Sequence, residues 1–207
     1  MIKAWFFDLD GTLADTDCDI REAWKAAMAE LGLARADFDE VFVAGPPIDV
    51  MLQNLFPAEY TPELAAKMRE AFGRHYDNDG FPNTKEYPGV IDRVRELKAA
   101  GDRVFIVTNK RHAGASIMAK KFGWDQVFEK LYTGDMYGVK KPELIAIVLK
   151  EQKLSADECV MVGDTLNDFA AARANGVKSI GVAWGYGTKE ELSQADETIN
   201  NPREIKK

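Results

Sequence analysis

The stretch Ala4-Trp5-Phe6-Phe7-Asp8-Leu9-Asp10-Gly11-Thr12-Leu13 decides how the chain is read. Four apolar residues in a row, too few for a helix and flanked by polar groups, read as a strand buried on both faces. Such strands belong to parallel sheets sandwiched between helices. The run stops at Asp8, and a second acid follows two residues later. Further short apolar runs repeat the pattern: Val104–Val107 leads into Thr108-Asn109, Val160–Val162 into Gly163-Asp164, and Ser179–Ala183 closes the series. Segments of helical spacing separate them, so the expected fold is α/β, a doubly wound parallel sheet. Pro88-Gly89 opens one such segment, with Val90, Ile91, Val94 and Leu97 on one side. Lys141-Pro142 opens another, carrying Leu144, Ile147 and Val148, because proline suits a first helical turn. Ser155–Glu158 has the form of a capping box, but a strand follows too soon for a helix, and it reads as a turn.

Residues 16–83 read differently. Ile20, Ala23, Trp24, Ala27, Met28 and Leu31 recur at three and four residues, as do Leu64, Met68, Ala71, Phe72 and Tyr76. Gly45-Pro46-Pro47 breaks the chain before a third helical stretch, Ile48–Phe56. Val41-Phe42-Val43 is the one candidate strand there. The spacing therefore predicts a helical insert at 16–83 within an α/β core formed by 1–15 and 84–207.

In an open parallel sheet ligands gather at the carboxyl ends of the strands. Asp8, Asp10, Thr108 and Asp164 should meet there. Clustered carboxylates repel unless a cation sits among them, and an all-oxygen donor set suits Mg²⁺. Thr108, the backbone amides of Leu9 to Thr12 and that of Asn109 are candidates to hold phosphate oxygens, with Lys141 adding positive charge. Acids, metal, hydroxyl, amides and lysine describe phosphoryl transfer. Taken singly, Asp164 reads first as a helix N-cap and Thr108 as a turn hydroxyl, and only the constellation reverses this. His75 and His112 have no metal-ligand spacing and read as solvated or capping residues.

The chain has 207 residues, a net charge of −7 and 46% hydrophobic residues, a globular composition. The acidic balance argues against nucleic acid or an anionic membrane as partner. Two cysteines, Cys18 and Cys159, form no disulfide framework and point to a reducing compartment. The opening apolar run is too short for a signal peptide. The expectation is a soluble cytoplasmic protein, monomer or homodimer, acting on a small molecule.

Four ordered motifs, Asp8-Leu-Asp-Gly-Thr-Leu13, Val107-Thr108-Asn109, Lys140-Lys141-Pro142 and Val162-Gly-Asp-Thr-Leu-Asn-Asp168, resemble those of the haloacid dehalogenase superfamily. The match is nearest to its phosphoglycolate-phosphatase-like branch, with Tyr87-Pro88-Gly89-Val90 and Ala183-Trp-Gly-Tyr-Gly187 agreeing. The resemblance implies a Rossmann-like core with a helical cap at 16–83 and Mg²⁺-dependent hydrolysis of a small phosphate monoester through an aspartyl-phosphate. Asp8 would be the nucleophile. Asp10 would be the general acid, then the base, with its carbonyl on the metal. Thr108 and Asn109 would bind the phosphoryl group, and Lys141 would pair with Asp8 and the phosphate. Asp8, Asp10, Asp164 and Asp168 would form the metal site, with either of the last two as the direct ligand. Selectivity would come from basic residues in or beside the cap, among them Arg35, Lys67, Arg69, Arg74 and Lys85. Asp17-Cys18, Arg111-His112 and Gly45-Pro46-Pro47-Ile48 depart from that branch's usual pattern. A phosphomutase of the β-phosphoglucomutase type is the alternative reading, and a phospho-receiver module a remoter one.

Overall fold

The computed structural model describes residues 1–78 and 80–206. They divide into two compact units, Met1–Asp15 with Lys85–Lys207, and Thr16–Thr84.

In chain order the strands are β1 (Ala4–Phe7), β2 (Ala14–Asp15), β3 (Lys85–Glu86), β4 (Arg103–Thr108), β5 (Lys130–Thr133), β6 (Cys159–Gly163), β7 (Lys178–Val182) and β8 (Glu197–Ile199). The helices are α1 (Asp17–Glu30), α2 (Phe38–Val41), α3 (Ile48–Leu55), α4 (Pro62–Asn78), α5 (Val90–Ala99), α6 (His112–Lys121), α7 (Gly134–Tyr137), α8 (Lys141–Gln152), α9 (Leu166–Ala174) and α10 (Lys189–Leu192).

The first unit is the expected doubly wound α/β fold. Six strands run parallel in the order β5-β4-β1-β6-β7-β8. The chain starts in the middle of the sheet, and β1 pairs with β4 on one side and β6 on the other. Phe7 is thereby level with Ile106 and Val162. That register carries the residues after all three strands to one edge. Alternate residues face opposite sides of a sheet. Ala4, Phe6, Phe105, Val107, Cys159 and Met161 form one buried layer with Leu144, Ile145 and Val148 of α8 and Ala171 and Ala172 of α9. Trp5, Phe7, Val104, Ile106, Val160 and Val162, the alternate set, are buried as well. Both faces being covered explains why the central strands read as unbroken apolar runs. Trp5 satisfies its buried indole by donating to Asp102 Oδ2 at 3.1 Å.

The edge strands carry no such signal. β5 is Lys130-Leu-Tyr-Thr133 and β8 is Glu197-Thr-Ile199, and neither shows an apolar run. Each pairs on one side only, so its residues are partly exposed and its composition polar. Ser155–Glu158 is a turn, with a 3-10 segment at Ala156–Glu158 leading into β6.

The second unit is helical. α1 buries Ile20, Ala23, Trp24, Ala27 and Met28, and packs against α4. Trp24 meets Phe42 and Phe72 ring to edge or tilted. The candidate strand Val41-Phe42-Val43 is not one. α2 ends at Val41, and Phe42 alone turns inward while Val41 and Val43 are exposed. An apolar triplet can form a strand only where another strand supplies hydrogen-bond partners, and none stands beside it among the described residues. Asp19 ties the end of this unit to its beginning. Its carboxylate accepts from the Asn83 and Thr84 backbone amides, from Asn83 Nδ2 at 2.9 Å and from Thr84 Oγ1 at 2.6 Å.

Candidate active site

The turn after β1 brings the two acids together. Leu9 O accepts from the amides of Thr12, Leu13 and Ala14, and the Gly11 amide donates to Ala14 O at 2.9 Å. Gly11 and Thr12 amides are therefore spent inside the turn and cannot hold phosphate, which corrects the expectation for those two. Gly11 sits at φ 75°, and a Cβ there would strike the Asp164 carboxylate. Only glycine meets both conditions.

Asp164 follows β6 and is fully buried. Its Oδ1 accepts from Thr12 Oγ1 at 3.1 Å and its Oδ2 from the Tyr186 amide at 2.8 Å. The segment supplying that amide is anchored by Trp184, whose Nε1 donates to Thr12 O at 3.1 Å. A Cβ at Gly187 would collide with the Asp164 carbonyl, so Ala183–Gly187 packs directly on the acid.

Asp168 lies in the first turn of α9. Its Oδ2 accepts from both the amide and the hydroxyl of Thr165, capping the helix. Its Oδ1 meets Lys141 Nζ, which also stands 3.0 Å from Asp8 Oδ1. Lys141 is the first residue of α8 and is buried, whereas Lys140 is exposed. The tight loop before it, where the Val139 amide donates to Gly134 O at 3.0 Å, sets which lysine turns inward.

Single carboxylate oxygens from Asp8, Asp164 and Asp168 lie within 4.8 Å of one another. The electrostatics follow from that crowding. Burial first, then the Asp168 and Asp8 charges, raise the Asp164 carboxyl well above its ordinary range. Burial also raises Asp168, to about 6, against the pull of the Lys141 ammonium. Burial alone would lower Lys141, but Asp168 and Asp8 outweigh it and raise its pKa. A cluster this reluctant to ionise is what a divalent cation relieves. The donor set fits one: the three acids converge carboxylate oxygens, and Lys141 Nζ at 3.0 Å from Asp8 Oδ1 is one ammonium facing three carboxylates, so negative charge is left for a cation to balance.

β4 delivers the remaining groups. Thr108 is buried and its Oγ1 accepts from the Lys110 amide at 3.2 Å. That bond uses an acceptor site and leaves the hydroxyl proton for another oxygen. Asn109 is exposed, and its side chain makes no hydrogen bond among the described residues. The residue that does turn inward is Lys110. Its Nζ stands 2.7 Å from Asp10 Oδ1, and its side chain is 4% exposed. Sequence reasoning passed over Lys110 because a lysine in a loop ordinarily reads as solvated. Of the two histidines, His75 pairs with Glu30 and His112 meets Ser116. Within the helical unit a cleft of about 520 Å³ is lined by Asp19, Glu22, Arg74, His75 and Phe81.

A family model described as haloacid dehalogenase-like hydrolase matches residues 5–182. The chain belongs to the haloacid dehalogenase-like hydrolase family. It is 34% identical over 186 residues to a phosphoglycolate phosphatase of Agrobacterium fabrum, covering 87% of this chain and 80% of that one. It is 31% identical over 191 residues to a 5'-nucleotidase of Pseudomonas aeruginosa, covering 90% and 85%. Among solved structures, a haloacid dehalogenase-like family hydrolase of Streptococcus pneumoniae superposes with a TM-score of 0.85 at 27% identity, over 99% of this chain and 96% of that one. The protein is thus an enzyme, a haloacid dehalogenase-type phosphatase. Among the described residues, no helix is long and apolar enough to cross a membrane.

Proposed function

We propose that this phosphatase hydrolyses a small, anionic phosphate monoester with Mg²⁺, through a covalent aspartyl-phosphate on Asp8. One observation carries the reading: Asp8 shares a buried cluster with Asp164, Asp168 and Lys141, and Asp10 stands two residues away at the same strand end.

Asp8, Asp164 and the Asp10 carbonyl would hold Mg²⁺. Asp168 has both oxygens already engaged, by Lys141 and by Thr165, and so serves the metal less directly. When bound, Mg²⁺ neutralises the acids and withdraws charge from the phosphoryl oxygens. Thr108 donates its hydroxyl to one of those oxygens, Asn109 offers its amide to another, and Lys141 balances the negative charge. An Asp8 oxygen attacks phosphorus as the ester P–O bond breaks, and Asp10 gives its proton to the departing oxygen. Asp10 then takes a proton from water, the water oxygen bonds to phosphorus, and the P–O bond to Asp8 breaks to free phosphate. Thr16–Thr84 is proposed as the cap that selects the substrate. Its Arg35, Arg69 and Arg74 are engaged by Asp37, Asp49 and Glu30, whereas Lys67 is exposed and makes no ion pair among the described residues.

Phosphoglycolate and 5'-nucleotides are the first esters to try, because relatives at 31–34% identity are a phosphoglycolate phosphatase and a 5'-nucleotidase. Phosphate release from a panel of monoesters with Mg²⁺ tests the reading, with Asp8→Asn as control. Turnover should vanish in Asp8→Asn for every ester, because an amide is a poor nucleophile. Residual turnover there, or isomerised sugar phosphate in place of free phosphate, would count against it.

A further inference from the structure

We infer that Lys110 is the positioning residue for Asp10, holding one carboxylate oxygen so that the other is presented for proton exchange. The inference rests on the reading of Asp10 as acid and base.

Lys110 and Asp10 are a hundred residues apart and meet because β1 and β4 are adjacent parallel strands whose ends are level. The lysine side chain is 4% exposed and the Asp10 side chain 19% exposed. A cation brought that far out of water is strongly disfavoured unless an anion receives it. The structure meets that cost with Asp10 Oδ1 at 2.7 Å, a charge-assisted hydrogen bond.

The backbone of Asp10 is already held by the turn on Leu9 O, so its side-chain torsions are the remaining freedom. A short bond to Oδ1 settles them and leaves Oδ2 unengaged. The site thus separates two acids that sit two residues apart. Lys141, from α8, takes the Asp8 side, and Lys110, in the loop after β4, takes Asp10. Each ammonium draws its own carboxylate, which keeps nucleophile and acid from competing for one cation. Lys110 also binds the phosphate loop to this arrangement, since its amide donates to Thr108 Oγ1. One residue therefore orients a hydroxyl through its backbone and a carboxylate through its side chain.

Pre-steady-state release of the leaving group tests this in Lys110→Met, Asp10→Asn and the double variant. A nitrophenyl ester leaves without help, whereas an alkyl ester needs a proton. Asp10→Asn should slow the alkyl ester by about 100-fold or more and the aryl ester far less, the range of general acid catalysis. Lys110→Met should show the same leaving-group dependence with KM for the aryl ester unchanged. In the Asp10→Asn background it should add no more than about twofold, the scatter expected of coupled sites that act as one. The Mg²⁺ affinity of Lys110→Met, read by tryptophan fluorescence, should match wild type. Lys110→Gln, which keeps a donor of shorter reach, gives the same pattern if the methionine variant does not fold. Equal slowing of both esters with raised KM would make Lys110 a phosphate ligand and overturn the inference. So would a full, independent loss in the double variant. If Asp10→Asn itself showed no leaving-group dependence, the acid–base reading would fall, and this inference with it.

Discussion

At the scale of single residues, the site depends on very close packing around Asp164. Gly11, Gly185 and Gly187 all approach that side chain or its carbonyl so closely that a methyl group would collide. Gly11→Ala is the sharpest test, since it adds the collision to a backbone at φ 75°, where a non-glycine residue costs about 1–2 kcal/mol by itself. The expected result is a loss of at least that much stability in urea unfolding. The thermal stabilisation by Mg²⁺ should disappear as well, because the Asp164 carboxylate must move. An unchanged Mg²⁺ response would mean that Asp164 does not hold the metal. Cys159 offers a simpler check. Burial raises its thiol to about 12, so it should resist alkylation in the folded enzyme at pH 8, whereas the exposed Cys18 should react readily.

Among the elements, the helical unit is fastened where the chain leaves and returns. Asp19 on α1 gathers amide, side-chain amide and hydroxyl donors from Asn83 and Thr84 on one carboxylate. Hydrogen bonds to a charged acceptor are worth about 1.5–3 kcal/mol each when lost without replacement. Asp19→Ala should therefore lower the unfolding free energy by about 2 kcal/mol or more. Hydrogen exchange should show faster opening of α1 and of residues 82–84 than of β1, β4 and β6. Uniform opening of both units would mean that they unfold as one. The strands behave differently. Phe6 is wholly buried between sheet and helices, and Phe6→Ala should cost about 3–5 kcal/mol, the usual range for a large cavity.

For the whole molecule, the acid cluster links stability to pH and metal. In metal-free protein the Asp168 carboxyl has a folded pKa of about 6. The unfolded value is about 3.9, so between those values the native state binds more protons than the unfolded state. Stability contributed by the protonated form is full below pH 4 and is lost as pH rises through 6. Asparagine mimics that neutral form without titrating. Wild type should therefore lose on the order of 2 kcal/mol relative to Asp168→Asn between pH 4 and 7 in EDTA. Mg²⁺ should reverse the trend, because it binds the ionised acids, and its melting-temperature gain should grow over the same interval. A gain independent of pH would detach these carboxylates from the metal.

Much of this molecule was legible in sequence because a parallel strand buried on both faces has no choice of residue type. β1, β4, β6 and β7 announce themselves as apolar runs, and polar residues placed at their ends mark the edge where chemistry collects. The amphipathic spacing of α1 and α4 is equally direct, since a helix must turn one stripe inward. What sequence could not decide depended on partners supplied from elsewhere in the chain. β5 and β8 are strands only because a neighbour offers hydrogen bonds, and Val41-Phe42-Val43 is not a strand for want of one. In sequence only the proline that follows it sets Lys141 apart from Lys140, and the loop closed by Gly134 and Val139 is what turns it inward. Lys110 looks like a surface lysine until the register of β1 against β4 sets Asp10 beside it. Local residue choice determined which segments must be buried, while burial of the ionisable groups was decided by tertiary contacts, because such a group enters the interior only where distant parts of the chain supply an opposite charge or hydrogen-bond donors to receive it.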